Sequence, residues 1–220
     1  MPESISFETA DGLIIKGDYY PSQGSNQAVL LLHMRPETKS SWKSLAEQLV
    51  ANGFSVLAID LRGHGESVLR SNGGAVRYET FTEPEEQQSI KDLEAAGRWL
   101  EEQRGFLPNN LALVGASIGA NLALQYLSER ADLPAAVLLS PGLVYRGIDT
   151  QPMLEKLASG QRLMFVAAKD DTYSALTVGV LNEKTAVSHQ TKIFDSGGHG
   201  THLFSSHPSL KEEIIVWLKK

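Results

Sequence analysis

Residues 111–127 read Leu111-Ala-Leu-Val-Gly115-Ala-Ser117-Ile-Gly119-Ala-Asn-Leu-Ala-Leu-Gln-Tyr-Leu127, and the fold turns on that order. Leu111 to Val114 is a short continuous apolar run, the pattern of a strand buried on both faces. Gly-x-Ser-x-Gly follows it directly, and apolar residues at helical spacing run on to Leu127. Strand, sharp turn and helix in immediate succession make the repeating unit of a parallel sheet with helices packed on it.

The same alternation extends outward in both directions. Apolar runs recur at Ala28 to Leu32, Phe54 to Ile59, Ala135 to Leu139 and Leu163 to Ala167, and a less apolar run, Gln190 to Phe194, reads as an edge strand. Near the N-terminus, Ile5 to Glu8 and Leu13 to Tyr20 flank Asp11-Gly12, which reads as a hairpin turn. Helical spacing appears over Ser41 to Ala51, Glu85 to Gln103, Ser117 to Leu127, Tyr173 to Ala186 and Pro208 to Lys219. Within the second of these, Gly97 lies on the apolar stripe and leaves room for a neighbouring element to approach. The expectation is an α/β fold: a mostly parallel sheet of about eight strands flanked by helices, with an N-terminal antiparallel hairpin. Leu139 and Leu163 are separated by only about 20 residues with one short helix candidate, Pro152 to Ala158, which leaves little room for a lid. Residues 1–220 are expected to form one domain with no substantial cap.

Composition narrows the functional classes. The formal charge is −6, and Lys and Arg are scattered, which is unlike a nucleic-acid surface built on clustered cations. The chain has no cysteine, so disulfides, thiolate metal sites and a thiol nucleophile are excluded. Met1-Pro2-Glu3-Ser4 lacks a basic-then-apolar signal pattern, and no run approaches the roughly 18 apolar residues of a membrane span. The expectation is a soluble, cytoplasmic protein with no nucleic-acid or membrane partner.

Ligands of open parallel sheets bind beyond the carboxyl ends of the strands. Polar and glycine residues collect there: His33-Met34-Arg35, Asp60-Leu-Arg-Gly-His-Gly-Glu-Ser67, Ser140-Pro-Gly142, Ala168-Lys-Asp-Asp171 and Asp195-Ser-Gly-Gly-His-Gly200. Ser117 occupies the sharp turn, where small neighbours are needed and where the N-terminus of a helix favours developing negative charge. A serine hydroxyl needs a base within reach, and the base needs an orienting partner. Among six histidines, His199 and His202 follow the last strand, and three glycines around His199 let its loop bend towards the sheet, so His199 is preferred. Asp170 and Asp171 both qualify as the acid, since both follow a strand lying between serine and histidine in sequence.

These motifs, taken together, resemble the α/β-hydrolase family over nearly the whole chain, from the His33 loop to the His199 loop. Gly115-Ala-Ser-Ile-Gly119 is similar to its nucleophile elbow, and Asp60 to Ser67 is similar to one of its common loops. The resemblance implies a Ser117–His199–Asp171 triad. In the family's strand–Gly-x-x-Asp pattern, Ala168 takes the glycine position and Asp171 the acid, with Asp170 the alternative if the register slips by one. It implies an oxyanion hole from the N–H of Ile118 and that of Met34 or Arg35, where many relatives carry His-Gly. In size the chain resembles the dienelactone hydrolases, whose thiol nucleophile it lacks, and a serine argues against haloalkane dehalogenases and epoxide hydrolases. The activity implied is hydrolysis of an ester or related acyl bond through an acyl-enzyme, with no metal or organic cofactor. Thioesterase, lactonase or peptidase activity on the same triad, and a non-catalytic binding module on the same fold, remain open alternatives.

Overall fold

The computed structural model describes residues 1–220. The strands are β1 (Glu3–Glu8), β2 (Ile14–Tyr20), β3 (Ala28–Leu32), β4 (Ser55–Ile59), β5 (Leu111–Ala116), β6 (Ala135–Leu139), β7 (Val144–Tyr145), β8 (Ile148–Asp149), β9 (Arg162–Ala168) and β10 (Ser188–Phe194). The helices are α1 (Lys43–Ala51), α2 (Glu83–Gln87), α3 (Ile90–Arg104), α4 (Ile118–Glu129), α5 (Gln151–Leu154), α6 (Thr172–Lys184), α7 (Leu203–Ser206) and α8 (Leu210–Leu218). Eight strands form one sheet in the order β1-β2-β4-β3-β5-β6-β9-β10. β2 runs antiparallel to both β1 and β4, and all other pairs are parallel. The expected architecture is therefore present, with the N-terminal hairpin as its antiparallel margin and the less apolar β10 at the opposite edge.

Alternate residues of each central strand feed two separate cores. On β3, Leu30 and Leu32 join the core under α3, α4 and α6, while Val29 and Leu31 join the one under α1, α7 and α8. Both faces are thus buried, which is why these strands are apolar at every position rather than at every second one.

The strand order also creates the crevice. β3 lies between β4 and β5. The chain leaves β3 towards α1 on one face and leaves β5 into α4 on the other. Adjacent strands whose connections depart to opposite faces leave a gap at their carboxyl ends. Leu32 pairs with Gly115, so the His33 loop and Ser117 border this gap together.

Two helical expectations need correction. The stretch read as one helix from Glu85 to Gln103 is divided at Gln88–Ser89 into α2 and α3. Thr82 starts α2 two residues early through a capping box, its N–H donating to Glu85 Oε2 at 2.8 Å. At the break, Lys91 and Asp92 donate to the carbonyls three residues back, so the ladder tightens and the axis restarts. The helix expected over Pro152 to Ala158 is only the single turn α5, preceded by the β7–β8 hairpin. Gly97 serves close packing: a Cβ there would collide with the Tyr126 hydroxyl of α4.

Candidate active site

Ser117 joins β5 to α4 with φ 55 and ψ −121, a conformation that costs a non-glycine residue about 1–3 kcal/mol. Its surroundings enforce the turn. A Cβ on Gly115 would strike the Gly119 carbonyl, and one on Gly119 would strike the Leu32 and His33 carbonyls. Ser117 N–H donates to Leu139 O at 2.8 Å, tying the turn to the neighbouring strand. Ile118 is the first residue of α4, so its N–H has no carbonyl one turn earlier within the helix.

His199 Nδ1 lies 2.6 Å from Asp171 Oδ2. Burial raises the Asp171 carboxyl, but hydrogen bonding with His199 and Ser174, the nearby imidazole and the Ser140 hydroxyl outweigh it, and the group is held below the usual Asp range. An ionised carboxylate can only accept, so Nδ1 carries the proton and Nε2 keeps its lone pair. Asp170 does different work. Its carboxylate accepts the N–H groups of Gly197 (3.0 Å) and Gly198 (3.2 Å), clamping the loop that carries His199. His202 is exposed, and its N–H donates to His199 O. His199 and Asp171 are thus brought together, whereas His202 and Asp170 are not part of that pair.

Ser140 ties the parts to one another. It is fully buried, has φ 50, and accepts the Gly200 N–H at 2.9 Å. Gly200 in turn abuts Met34 and Ala116, so the histidine loop rests against both margins of the crevice. Ser117 Oγ and His199 are not hydrogen-bonded to each other in this structure; such bonds commonly tighten only when substrate is bound.

The margin that carries Met34 is the loop after β3. His33 is fully buried, with Nε2 receiving the Leu61 N–H at 2.9 Å and Nδ1 facing the Met34 carbonyl at 3.0 Å. An N–H can only donate, so Nε2 is the acceptor and Nδ1–H donates to Met34 O. Burial, with His64 beside it, pushes His33 down to about 3, so the ring is a neutral strut between the Met34 turn and the loop after β4. The N–H groups of Met34 and Arg35 have no acceptor in the protein. The Arg35 side chain is committed elsewhere, donating to Glu86 Oε2 at 3.0 Å and Tyr78 O at 2.7 Å. Neither Ser140 nor the hairpin residue Tyr145 emerged from the sequence as a site residue. A polar residue just past a strand's carboxyl end was the only available signal for Ser140.

A family model described as serine aminopeptidase, S33, matches residues 23–201. An uncharacterized protein of Mycobacterium tuberculosis is 32% identical over 182 residues, covering 74% of this chain and 59% of its own length. The chain therefore spans about three fifths of that curated relative. Among solved structures, a Pyrococcus furiosus esterase superposes with a TM-score of 0.80 at 19% identity, covering 100% of this chain and 90% of its own. A dienelactone hydrolase from Anabaena variabilis superposes with a TM-score of 0.70 at 18% identity, covering 98% and 94%. At such identities these two show the fold. The elbow, the strand order and the extent of the family match lead to one conclusion: this chain belongs to the serine aminopeptidase S33 family of α/β hydrolases.

Proposed function

We propose that the chain is a serine hydrolase that cleaves an ester or related acyl bond of a small molecule through an acyl-enzyme. The observation that carries this reading is the His199–Asp171 hydrogen bond, made at the same sheet end as the strained Ser117 elbow. Ser117 Oγ adds to the acyl carbon as its proton passes to His199 Nε2. Asp171 holds the ring in the Nδ1–H tautomer and stabilises the imidazolium. The bond to the leaving group then breaks, and that group takes the proton from His199. Water repeats the sequence: it adds to the acyl carbon, gives a proton to His199, and Ser117 departs with that proton.

The oxyanion formed at each stage faces Ile118 N–H and, in this reading, Met34 N–H. Leu32 pairs with Gly115, so Met34 comes level with Ser117 two residues on, and Arg35 lies one residue beyond. One such donor is typically worth about 3 kcal/mol. The steps involve no metal or organic cofactor.

A fluorophosphonate probe is expected to label Ser117 in the parent and nothing at that position in Ser117→Ala. Turnover of 4-nitrophenyl acetate should fall by about 10⁴-fold or more in the same variant. A Ser117→Ala protein as fast as the parent would overturn the reading. The family description favours a second substrate class, aminoacyl amides, and an aminoacyl 4-nitroanilide panel run beside the esters decides between them.

A further inference from the structure

The β7–β8 hairpin borders the candidate site through Tyr145, and it is fixed on two sides. Asn121, buried in α4, donates to Gly142 O and Ile148 O at 2.9 and 3.0 Å and accepts the Gly142 N–H at 3.0 Å. From α6, Thr177 Oγ1 accepts the Leu143 N–H at 3.1 Å. Tyr173 Oη accepts the Val144 N–H at 3.1 Å and donates to Val144 O at 3.2 Å. The hairpin is therefore a wall, not a lid.

The side chain this wall presents is Tyr145. Its ring meets the His199 ring nearly at right angles, with centroids 6.3 Å apart, and meets the Tyr173 ring at 5.6 Å. Its hydroxyl is 3.2 Å from Ser174 Oγ and lies beside Ser117. Gly142 beneath it admits no side chain, because a Cβ there would collide with the Tyr145 ring. Tyr173, 45% exposed, continues the aromatic surface outward from Tyr145.

We propose that Tyr145, backed by Tyr173, is a specificity-determining residue that receives a flat, apolar leaving group, making aryl esters the preferred substrate class. The inference rests on the hydrolase reading above. The group that His199 protonates must lie against His199, and the surface facing that ring is Tyr145. An aromatic wall held this firmly gains most from an aromatic partner, by edge-to-face or offset contact, and little from a short alkyl group.

The test compares phenyl acetate with ethyl acetate, which share an acyl group and differ in the leaving group. In Tyr145→Leu, the ratio of kcat/KM on the phenyl ester to that on the ethyl ester is expected to fall about five- to tenfold. Tyr145→Phe, which keeps the ring, should hold that ratio close to the parent value, and Tyr173→Leu should lower it less than Tyr145→Leu does. A structural role would slow both esters alike and leave the ratio unmoved, and that result overturns the proposal. Should Tyr145→Leu fail to fold, Tyr173→Leu against Tyr145→Phe carries the same comparison. Hydrolysis that survives Ser117→Ala removes the hydrolase reading and this inference with it, whereas an unmoved ratio removes this inference alone.

Discussion

Asp170 and Asp171 sit side by side after β9, yet their carboxylates face different tasks. Asp171 meets the His199 ring, and Asp170 receives two backbone N–H groups of the loop that carries it. Asn can replace one role far better than the other. In Asp170→Asn the amide oxygen still accepts from Gly197 and Gly198. In Asp171→Asn the amide can present its NH₂ to Nδ1 and favour the wrong tautomer, so the lone pair that Ser117 needs is lost. We expect kcat on 4-nitrophenyl acetate to fall about 10³–10⁴-fold in Asp171→Asn and by no more than several-fold in Asp170→Asn. Equal losses would remove Asp171 from its assigned role. At this scale, legibility follows sequence locality. Ser117, Asp171 and His199 could be named because each follows a strand and carries its flanking signals with it. Ser140 could not, because the N–H it accepts lies 60 residues away and a serine after a strand has no distinctive pattern.

The elements were readable in proportion to their burial. Strands such as β3 and β6 are buried at every residue, so their apolar runs stand out without any alignment. The connection from Asp60 to Thr82 has no such run, and side chains hold it instead. Arg62, buried, donates from its N–H and its guanidinium to Asp92 of α3 at 2.7–3.0 Å and reaches Asp11 in the hairpin turn at 3.0 Å. One arginine thus joins the β1–β2 turn, the loop after β4 and α3, a clamp invisible in sequence because its three parts are far apart. Burial pushes the Asp92 carboxyl up even with Arg62 against it, because a charge is costly to bury. Arg62→Met leaves that carboxyl without its partner, and breaking such a pair costs about 3–5 kcal/mol. Urea unfolding should show this loss in Arg62→Met and recovery of much of it in the double variant Arg62→Met/Asp92→Leu. A double variant no more stable than Arg62→Met would mean that the clamp, and not the stranded charge, sets the cost.

For the molecule as a whole, the same connection makes stability depend on pH through a pair of imidazoles. His33 and His64 are buried with ring centroids 4.8 Å apart, and Tyr78 stacks on His64 at 3.9 Å. His64 Nδ1 lies 3.0 Å from the Arg62 carbonyl, so Nδ1 carries the proton, and the buried Nε2 has no partner. Burial pushes His64 down to about 4, below the ordinary imidazole value of about 6.5. The unfolded chain therefore takes up a proton between about pH 6.5 and 4 that the folded chain refuses. Stability associated with neutral His64 is complete above pH 6.5 and is lost as pH falls through that window. Asp18, Glu86 and Asp92, all raised by burial, act in the opposite sense as they titrate, so the parent's own pH profile mixes the two. A difference measurement separates them. His64→Gln cannot titrate, while the carboxylates and His33, itself pushed down to about 3, remain in both proteins and largely drop out of the comparison above pH 4.5. The stability advantage of the parent over His64→Gln, measured by urea unfolding, should shrink by about 2–3 kcal/mol between pH 6.5 and 4.5. A constant difference across that interval would mean that His64 takes up its proton in the folded state, and that the loop beside the crevice admits charge where this packing excludes it.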